Sequence, residues 1–316
     1  MAKLLSAKEQ ARRIIAKLDL RGMSKHDQKA AGRLGYRGGG TVARRRGDLG
    51  RSAERILERE GIHRIKDITP RMAVDEIKSL HEQGYKSGTI AGYSKVLSDA
   101  HQLLHGVPID FGSLVPSRSS DAPTQGRGYS DSQTREIIAH QPPVFGFMSE
   151  IVRDAGLRPS EIMEIRPADE FPARIAPDRA EKLVDHRFAG HNGIDYTVTG
   201  KGGLERTVRL SPDISDRLEA FRLDEAREVQ SIRGEDNRVF GQHFDLPHYE
   251  EWARNFSDVS NDLFGHSNGS YGLRHSFVHA RLETLQDLGY TWDQSRLAVS
   301  NALGHFRISE ISSYER

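Results

Sequence analysis

The sequence of 316 residues contains no cysteine. This absence excludes disulfides, a thiolate nucleophile and zinc or iron–sulfur sites held by thiolates, so any nucleophile must present oxygen or nitrogen. The sequence also lacks an apolar run of the roughly 18 residues that a membrane helix needs, and it does not begin with a continuous hydrophobic stretch of the signal-peptide type. Membrane insertion and secretion are therefore disfavoured, and we expect a cytoplasmic protein with no membrane partner.

The net charge is only +1, but the charges are unevenly distributed along the chain. The first 60 residues carry 16 basic and 7 acidic side chains, a net charge of +9, and the remaining residues carry −8. A basic segment of this kind is typical of an arm that contacts phosphates, and equally of a solvated tail. Within it, Arg44, Arg45 and Arg46 follow a glycine-rich stretch and are candidates to track a DNA backbone.

The chain is longer than the roughly 100 to 200 residues of a typical domain, which predicts two domains. We predict a basic and mobile N-terminal segment over 1–50, followed by a compact helical unit over 51–110, in which glycines end successive helices. Residues 111–128 concentrate proline, serine and glycine without periodicity, as a linker does. The second domain is predicted to cover 129–316.

The second domain is expected to combine helices with a small sheet. Residues 183–210 alternate apolar and polar side chains around a glycine turn at 200–203, which indicates an antiparallel sheet ending in a hairpin. Helical patterns precede this stretch and return from residue 212 to the C terminus. The predicted fold class is mainly α with a small antiparallel β-sheet.

His101 and His105 are four residues apart, a spacing that could chelate a metal from one helix face. They lack the glutamate of the zinc-protease motif, and the chain has no cysteine to complete a site. We therefore interpret them as ordinary helix-surface residues and predict no metal site.

Five residues suited to phosphate chemistry stand in separate segments of the second domain: Arg158, Lys201, Arg274, His305 and Tyr314. Arginine presents a planar fork of donors that fits two phosphate oxygens, so two arginines could clamp a phosphodiester. A lysine on a hairpin tip could protonate a departing alkoxide, and a tyrosine hydroxyl could attack phosphorus. Each of these residues alone also has an ordinary interpretation, as a helix-capping arginine, a solvated lysine or a packed terminal tyrosine.

In their order and local wording, these segments resemble the catalytic domain of the tyrosine recombinases, the phage-type and transposon-type integrases, over residues 128–316. The family's two arginine boxes correspond to AGLRPSEI and YGLRHSFVHARL, and its lysine hairpin corresponds to TGKGGLERTVRL. Its closing histidine and tyrosine, nine residues apart, correspond to LGHFRISEISSY. Residues 52–106 are similar, less specifically, to the family's SAM-like core-binding domain, notably in GYKSGTIAGYSKVLSDAHQLL.

The resemblance implies a cleavage mechanism with no metal or nucleotide cofactor. Tyr314 would attack a DNA phosphodiester and form a 3′-phosphotyrosyl bond, leaving a free 5′-hydroxyl on the other fragment. Arg158 and Arg274 would stabilise the non-bridging oxygens. Lys201 would protonate the leaving oxygen, and His305 would donate a hydrogen bond to the phosphate.

The resemblance also implies a supporting role for Glu161. This residue, three positions after the first arginine, would orient that arginine rather than touch DNA.

The resemblance further implies partners. The partner would be double-stranded DNA, with a homotetramer assembled on two sites. In the helical unit, four residues are candidates to face the DNA groove: Lys86, Ser87, Thr89 and Lys95. The alternative interpretation is that they are ordinary helix-surface residues. The two domains would close around the duplex through phosphate contacts that weaken steeply with salt.

Two features depart from the family's pattern. The position three residues before Arg274 usually holds histidine and here holds Tyr271, whose phenol can donate a hydrogen bond to phosphate but does not titrate near neutrality. His266 could compensate if its loop folds back, and His275 is expected to be structural. In addition, many relatives continue beyond Tyr314 into a helix that docks on a neighbouring protomer, so protomers would here communicate through another element.

The sequence thus predicts a site-specific recombinase, an integrase that inserts or excises a mobile element, at the nucleoid of a bacterial or phage-infected cell. Tyr271 and the short ending keep a second hypothesis open, a DNA-binding member of the same fold that does not cut. A third hypothesis is an enzyme that resembles the type IB topoisomerases and relaxes supercoiled DNA. The basic N-terminal segment and the integrase-like motifs disfavour it.

Overall fold

The structure, a computed structural model, describes residues 5–23, 25–115, 126–200, 203–230 and 239–315. These residues form two compact units, one up to residue 115 and one from residue 126 onward. Each unit has its own buried apolar core. No helix in the described ranges is long and apolar enough to span a bilayer.

The described part of the first unit is helical. Its α-helices are α1 (Ala7–Lys17), α2 (Lys25–Ala30), α3 (Gly39–Glu60), α4 (Pro70–Glu82) and α5 (Ser87–His105). Helices α1, α4 and α5 pack against α3 and enclose the core of the unit. Helices α3 and α5 both end in a left-handed glycine, as the sequence predicts for a helix stop.

Helix α3 crosses residue 50, where the sequence analysis placed the end of a basic N-terminal segment. Its turns bring Val42, Leu49, Ala53 and Ile56 into the core, each with no accessible surface. The three glycines and three arginines near its start obscure this periodicity, because glycine disfavours helix and a run of arginines suggests exposed chain. Part of the basic segment is therefore a packed helix of the first unit.

The second unit combines helices with short strands. Its α-helices are α6 (Asp131–His140), α7 (Pro143–Ala155), α8 (Pro177–Ala180), α9 (Pro212–Glu219), α10 (Tyr249–Phe264), α11 (Gly272–Asp287) and α12 (Trp292–Ala302). Its strands are β1 (Arg166–Pro167), β2 (Ile194–Thr199), β3 (Glu205–Leu210), β4 (Arg222–Gln230) and β5 (Val239–Phe244). Two 3₁₀ turns, Pro159–Glu164 and Ile308–Ser313, carry residues discussed below.

The predicted hairpin is present as β2 and β3. They pair antiparallel, with Tyr196 opposite Val208 and Thr199 opposite Glu205, and β1 pairs with the other edge of β2. The apolar side chains of β3 alternate into the core, as the sequence pattern indicates. The predicted fold class, mainly α with small antiparallel sheets, is confirmed.

A second antiparallel pair, β4 and β5, replaces part of the helical region predicted after residue 212. Val229 lies opposite Phe240, and Gln230 lies opposite Val239. Residues 222–230 are rich in glutamate and arginine, which favour helix in isolation. Such propensity is a weak preference, and pairing with a partner strand outweighs it.

Gly156, which follows the end of α7, lies against α11. Its φ is +60°, and a Cβ at this position would lie 2.4 Å from the ring of Phe277. We expect Gly156→Ala to lower the free energy of unfolding of the second unit by about 2–5 kcal/mol. Left-handed strain of about 1–2 kcal/mol adds to overpacking of about 1–3 kcal/mol.

The matched control is Gly265→Ala after α10, where φ is +70° and no atom of the described ranges lies within 4 Å of the new Cβ. This variant should lose only the stability that the left-handed strain costs, about 1–2 kcal/mol. The chain's two tryptophans, Trp252 and Trp292, both belong to the second unit, so a denaturant titration followed by their fluorescence reports this unit. Equal losses in the two variants would contradict the close packing of Gly156.

Candidate active site

Arg274, in the first turn of α11, is a fully buried charged residue at the centre of the candidate site. Its Nη1 donates to the carbonyl of Gly156, and its Nη2 donates to the carbonyl of Leu303 over 3.0 Å. Its Nε donates to the hydroxyl of Tyr314 over 3.2 Å. The guanidinium therefore joins the end of α7, the turn after α12 and the C-terminal turn.

The counter-charge comes from Glu161, which is 2% exposed. Its Oε1 accepts a hydrogen bond from Nη1 of Arg158 over 2.5 Å, and its Oε2 accepts the backbone N–H of the same residue over 2.8 Å. Oε2 also accepts from Arg206 over 2.6 Å and lies 3.7 Å from Nη1 of Arg274. The carboxylate thus holds Arg158 in one orientation.

The three guanidiniums determine the charge state of Glu161. Burial opposes its ionisation, but the positive charges of Arg206, Arg274 and Arg158 outweigh burial and lower its pKa to about 2. Arg158 is only partly exposed, and the pKa of its guanidinium stays raised because Glu161 outweighs the cost of burial. The site therefore carries a net positive charge from these residues at neutral pH, as a site for phosphate requires.

The hydroxyl of Tyr314 is the point on which the polar groups of the site converge. It lies 2.7 Å from the hydroxyl of Tyr271, 3.2 Å from Nε of Arg274 and 3.4 Å from Nε2 of His305. Burial and the hydrogen bond with Tyr314 raise the pKa of Tyr271 to about 12. Tyr271 is therefore a neutral hydrogen-bond donor at physiological pH, at the position where the family resemblance predicts histidine.

His305 approaches the same hydroxyl from the turn after α12. Gly304 and Phe306, on either side of it, both have positive φ values, 75° and 59°. Burial, together with the charges of nearby arginines, lowers the pKa of His305 to about 4, so the imidazole is neutral at pH 7. Its Nε2 lies 3.4 Å from Nη2 of Arg274, which can only donate, so this nitrogen is positioned as an acceptor.

The segment that carries Tyr314 is held by two side chains that sequence reasoning missed. Nε2 of His279, on α11, lies 2.6 Å from the carbonyl oxygen of Tyr314. Nε of Arg296, on α12, forms a 2.6 Å ion pair with Glu315, and its Nη2 donates to Ser312 over 2.9 Å. His279 lies four residues after His275 and so on the same helix face, which was the available signal in the sequence.

Lys201, the predicted general acid, lies outside the described residues, but its neighbour Gly200 is described. A Cβ on Gly200 would lie 2.8 Å from Oε1 of Glu161 and 3.3 Å from Nη1 of Arg158. The backbone N–H of Gly200 donates to the carbonyl of Leu204 over 2.7 Å and closes the start of the turn. The chain therefore enters this turn in direct contact with the arginine–glutamate pair.

The remaining histidines near the site have separate roles. The ring of His275 lies 4.6 Å from the ring of Tyr314, and burial lowers the pKa of this histidine to about 4, so it packs as a neutral ring. His266 is exposed, and its Nδ1 is 3.1 Å from the carbonyl of Phe264. Among the described residues, no hydrogen bond connects His266 to Tyr271, so the structure offers no contact through which it would compensate.

The three consecutive arginines of the first unit differ in exposure. Arg44 is exposed on α3. Arg45 donates to the carbonyl of Gly92 and lies 3.6 Å from Asp48, and only 12% of its side chain is exposed. Arg46 is half-buried. A DNA contact remains a prediction for all three, and Arg44 has the side chain most available for it.

The other candidates for DNA contact lie at the start of α5. Lys86 caps this helix and is exposed, as is Thr89, while Ser87 is half-buried. Lys95 pairs with Asp99 over 2.6 Å, but just over half of its side chain remains exposed. These four residues also stay predictions. In the described ranges, no three histidine, aspartate or glutamate side chains form a group that could hold a metal ion, and the rings of His101 and His105 lie tilted by 37° with centres 4.5 Å apart.

Solved structures of similar fold match nearly the whole chain. A lambda integrase dimer bound to a COC′ core site has a TM-score of 0.56 at 14% identity, covering 98% of this chain and 76% of that chain. The XerH site-specific recombinase, bound to difH substrate in a pre-cleavage complex, has a TM-score of 0.56 at 14% identity, with coverages of 99% and 93%. The Tn1549 transposon integrase in complex with transposon right end DNA has a TM-score of 0.51 at 15% identity, with coverages of 99% and 95%.

No protein-family model and no curated protein matches the sequence. At the identities found, the structural likeness establishes the fold, which is that of integrases and site-specific recombinases. The fold predicted from the sequence resemblance is confirmed.

Proposed function

We propose that this protein is a site-specific DNA recombinase of the tyrosine family, which cleaves and rejoins DNA strands during integration or excision of a mobile element. The observation that carries the proposal is the contact between the Tyr314 hydroxyl and the guanidinium of Arg274. Arg158 is joined to this guanidinium by Glu161, whose Oε1 binds Arg158 and whose Oε2 lies 3.7 Å from Nη1 of Arg274. A nucleophile and two phosphate-binding arginines thus share one site on one protomer.

The proposed reaction conserves the phosphodiester bond energy. The oxygen of Tyr314 attacks the phosphorus, a 3′-phosphotyrosyl bond forms, and the bond from phosphorus to the 5′-oxygen breaks. Arg158 and Arg274 stabilise the charge on the non-bridging oxygens as the transition state forms. The 5′-hydroxyl of a partner strand then attacks the phosphotyrosine and restores a DNA strand and a free tyrosine.

Proton transfers accompany both bond changes. Lys201 supplies the proton to the leaving 5′-oxygen, an assignment supported by the sequence resemblance and by the position of Gly200 against the arginine–glutamate pair. Tyr271 donates to the Tyr314 oxygen or to phosphate, and its pKa of about 12 keeps it protonated throughout. His305 stands beside the Tyr314 oxygen as a neutral imidazole, so its Nε2, 3.4 Å away, takes up the phenolic proton as Tyr314 attacks, and the protonated ring then donates a hydrogen bond to the bound phosphate.

The proposal includes the partners of the reaction. The partner is double-stranded DNA, and a homotetramer on two sites would supply the four tyrosines that two complete strand exchanges need. The residues invoked require no metal or nucleotide cofactor. The proposed place of action is the nucleoid, in the cytoplasm of a bacterial or phage-infected cell.

A pool of nicked duplexes of randomised sequence tests the proposal. The short fragment beyond the nick diffuses away after cleavage, so an active enzyme is trapped as a covalent adduct that survives denaturation and whose DNA can be sequenced. An adduct with a shared DNA sequence supports the recombinase. Sequence-specific binding with no adduct favours the non-cutting DNA-binding protein, and relaxation of plasmids that lack the selected site favours the activity that resembles topoisomerase.

Substitution of Tyr271 is expected to change the rate and its pH dependence separately. Tyr271→Phe removes one donor at the reacting oxygens and should slow adduct formation by about 10²-fold at every pH. Tyr271→His restores a donor and adds a group that titrates near pH 6.5, so its rate should fall as pH rises through about 6.5 and the imidazolium charge is lost. Wild type should lack this step, since the pKa of Tyr271 is about 12. Identical pH profiles of wild type and Tyr271→His would contradict the assignment.

A further inference from the structure

Arg206 is a buried arginine next to the candidate site that neither the sequence motifs nor the family resemblance assigns. It lies on β3, opposite Val198 on β2, and is 3% exposed. A buried guanidinium is costly unless its donors are satisfied and its charge is balanced. Its contacts therefore indicate what it holds in place.

The guanidinium of Arg206 connects two parts of the site. Its Nη2 donates to Oε2 of Glu161 over 2.6 Å, and its Nη1 donates to the carbonyl of Ala302 over 2.9 Å. Glu161 is the anion that orients Arg158, and Ala302 lies three residues before His305. One side chain thus fixes both the carboxylate and the start of the turn that leads to the histidine.

Close packing holds Arg206 on its remaining side. A Cβ on Gly304 would lie 2.8 Å from Cδ of Arg206, so only glycine fits against the stem of the arginine. Nε of Arg206 is buried and has no hydrogen-bond partner among the residues that the structure describes. The contacts of Arg206 run to Glu161, Ala302 and Gly304, and among the described residues none of its hydrogen bonds reaches the Tyr314 hydroxyl, so Arg206 lies behind the arginine pair rather than against the reacting oxygens.

The way in which Glu161 is shared among three arginines also indicates that Arg206 positions other groups. Oε2 of Glu161 is shared between Arg206 at 2.6 Å and Arg274 at 3.7 Å, while Oε1 binds Arg158. If Arg206 were absent, Oε2 would keep only the backbone N–H of Arg158 over 2.8 Å and would be drawn toward Arg274, so the carboxylate would be held less firmly in its orientation. Because Arg158 is held by this carboxylate, its guanidinium would lose its fixed direction.

We propose that Arg206 is a positioning residue for strand cleavage, which acts through Glu161 on the arginine pair and through Ala302 on His305. This inference rests on the proposed function and adds a residue to its machinery. Arg206 lies on β3, the strand that follows Lys201 in the sequence. This strand therefore connects the predicted general acid to the arginine pair.

The test compares single-turnover adduct formation by wild type and Arg206→Met on two nicked substrates. One has an ordinary scissile phosphate, and the other has a methylphosphonate, which lacks one negatively charged oxygen and depends less on a two-arginine clamp. Arg206→Met is expected to be slower by about 10²-fold on the phosphate, with little change in DNA affinity, because a small misplacement of catalytic groups has such an effect. On the methylphosphonate, the deficit should shrink to about 10-fold or less.

Two further variants complete the design. Arg209, on the same strand, forms an ion pair with Asp195 over 2.7 Å. Arg209→Met removes this guanidinium, and its rate of adduct formation should stay within about 5-fold of the wild-type rate. Arg206→Lys keeps the charge but has a single nitrogen, which cannot hold both acceptors, so it should also be impaired on the phosphate. If Arg206→Met fails to fold by tryptophan fluorescence, Arg206→Lys is compared on the two substrates instead.

The outcomes separate this inference from the proposed function. Absence of any adduct with wild type would reject the proposed function itself. With an active wild type, an Arg206 variant that cleaves the phosphate at the normal rate would overturn the positioning role. A deficit of the same size on both substrates would also overturn it, because a loss of general integrity does not depend on the charge of the scissile group.

Discussion

Replacing Tyr314 by phenylalanine is expected to abolish the covalent protein–DNA adduct and leave DNA binding intact. The substitution removes only the nucleophilic oxygen, while the ring can still pack against His275 and in the apolar cluster around Ile311. The expected loss is at least about 10⁴-fold in adduct formation, as for other nucleophile deletions. It is measured as the fraction of nicked DNA that remains attached to protein after denaturation.

The neighbouring phenol provides the matched control. The hydroxyl of Tyr271 lies 2.7 Å from that of Tyr314, so Tyr271→Phe deletes an oxygen from the same site with a similar effect on packing. This variant should be slowed but still form the adduct. An adduct that persists in Tyr314→Phe and disappears in Tyr271→Phe would mean that the nucleophile has been assigned to the wrong tyrosine.

Replacing Glu161 by glutamine is expected to lower both stability and activity. The variant leaves Arg158, Arg206 and Arg274 without the anion that they share, and an uncompensated buried charge costs about 3–5 kcal/mol. Arg158 also loses the carboxylate that orients it, so the rate of adduct formation should fall by about 10³-fold. Denaturant titration followed by tryptophan fluorescence measures the first effect, and the nicked substrate measures the second.

A surface carboxylate and a compensated double variant serve as controls for Glu161. Glu170→Gln breaks an ion pair with Arg222 in which the Glu170 side chain is 53% exposed, and it should cost no more than about 1 kcal/mol. Combining Glu161→Gln with Arg206→Met removes one of the surplus positive charges and should recover part of the lost stability. Equal stability of the single and double variants would contradict the charge-balance explanation.

The pH dependence of stability gives an independent check on Glu161. Its pKa is about 2 in the folded protein, below its ordinary value of 4.5, so the unfolded chain binds more protons between these two values. Stability from this carboxylate is therefore complete above about pH 4.5 and is lost as pH falls toward 2. The difference in free energy of unfolding between wild type and Glu161→Gln should narrow over that range. A difference that does not depend on pH would contradict the lowered pKa.

The sequence identified the residues of the site better than their surroundings. Short segments with distinctive sequence patterns contain four residues of the candidate site, and the structure brings these residues together: Arg158, Arg274, His305 and Tyr314. The spacing within each segment reflects local turns, which a motif records directly. How the segments meet depends on packing of α7, α11 and α12, which no single segment encodes.

Arg206 illustrates why the rest of the site was not predicted. Arg206 is in phase with Val208 and Leu210 on the inward face of β3, but arginine is rarely buried, and the carboxylate that balances its charge, Glu161, is 45 residues away. The same limit applies to Arg45, which looks like part of a basic patch but donates to the carbonyl of Gly92. Burial of a charged side chain depends on a distant counter-charge or acceptor, and local sequence does not contain that information.

Two elements of the fold were also outside the reach of local pattern. Helix α3 includes glycines and arginines that disfavour or obscure a helix, yet its buried face packs against α1. Strand β4 consists largely of residues that favour helix, yet it pairs with β5. In both cases a tertiary partner outweighs intrinsic propensity.

The most direct test of the account is identification of the residue bonded to DNA in the wild-type adduct. After nuclease digestion, trypsin releases Tyr314 in the peptide ISEISSYER and Tyr271 in the separate peptide NFSDVSNDLFGHSNGSYGLR, so mass spectrometry distinguishes them. We expect the first peptide to carry a nucleotide through its 3′-phosphate, with a free 5′-hydroxyl on the released fragment. Attachment to any other residue, or through a 5′-phosphate, would contradict cleavage by Tyr314 between the two arginines.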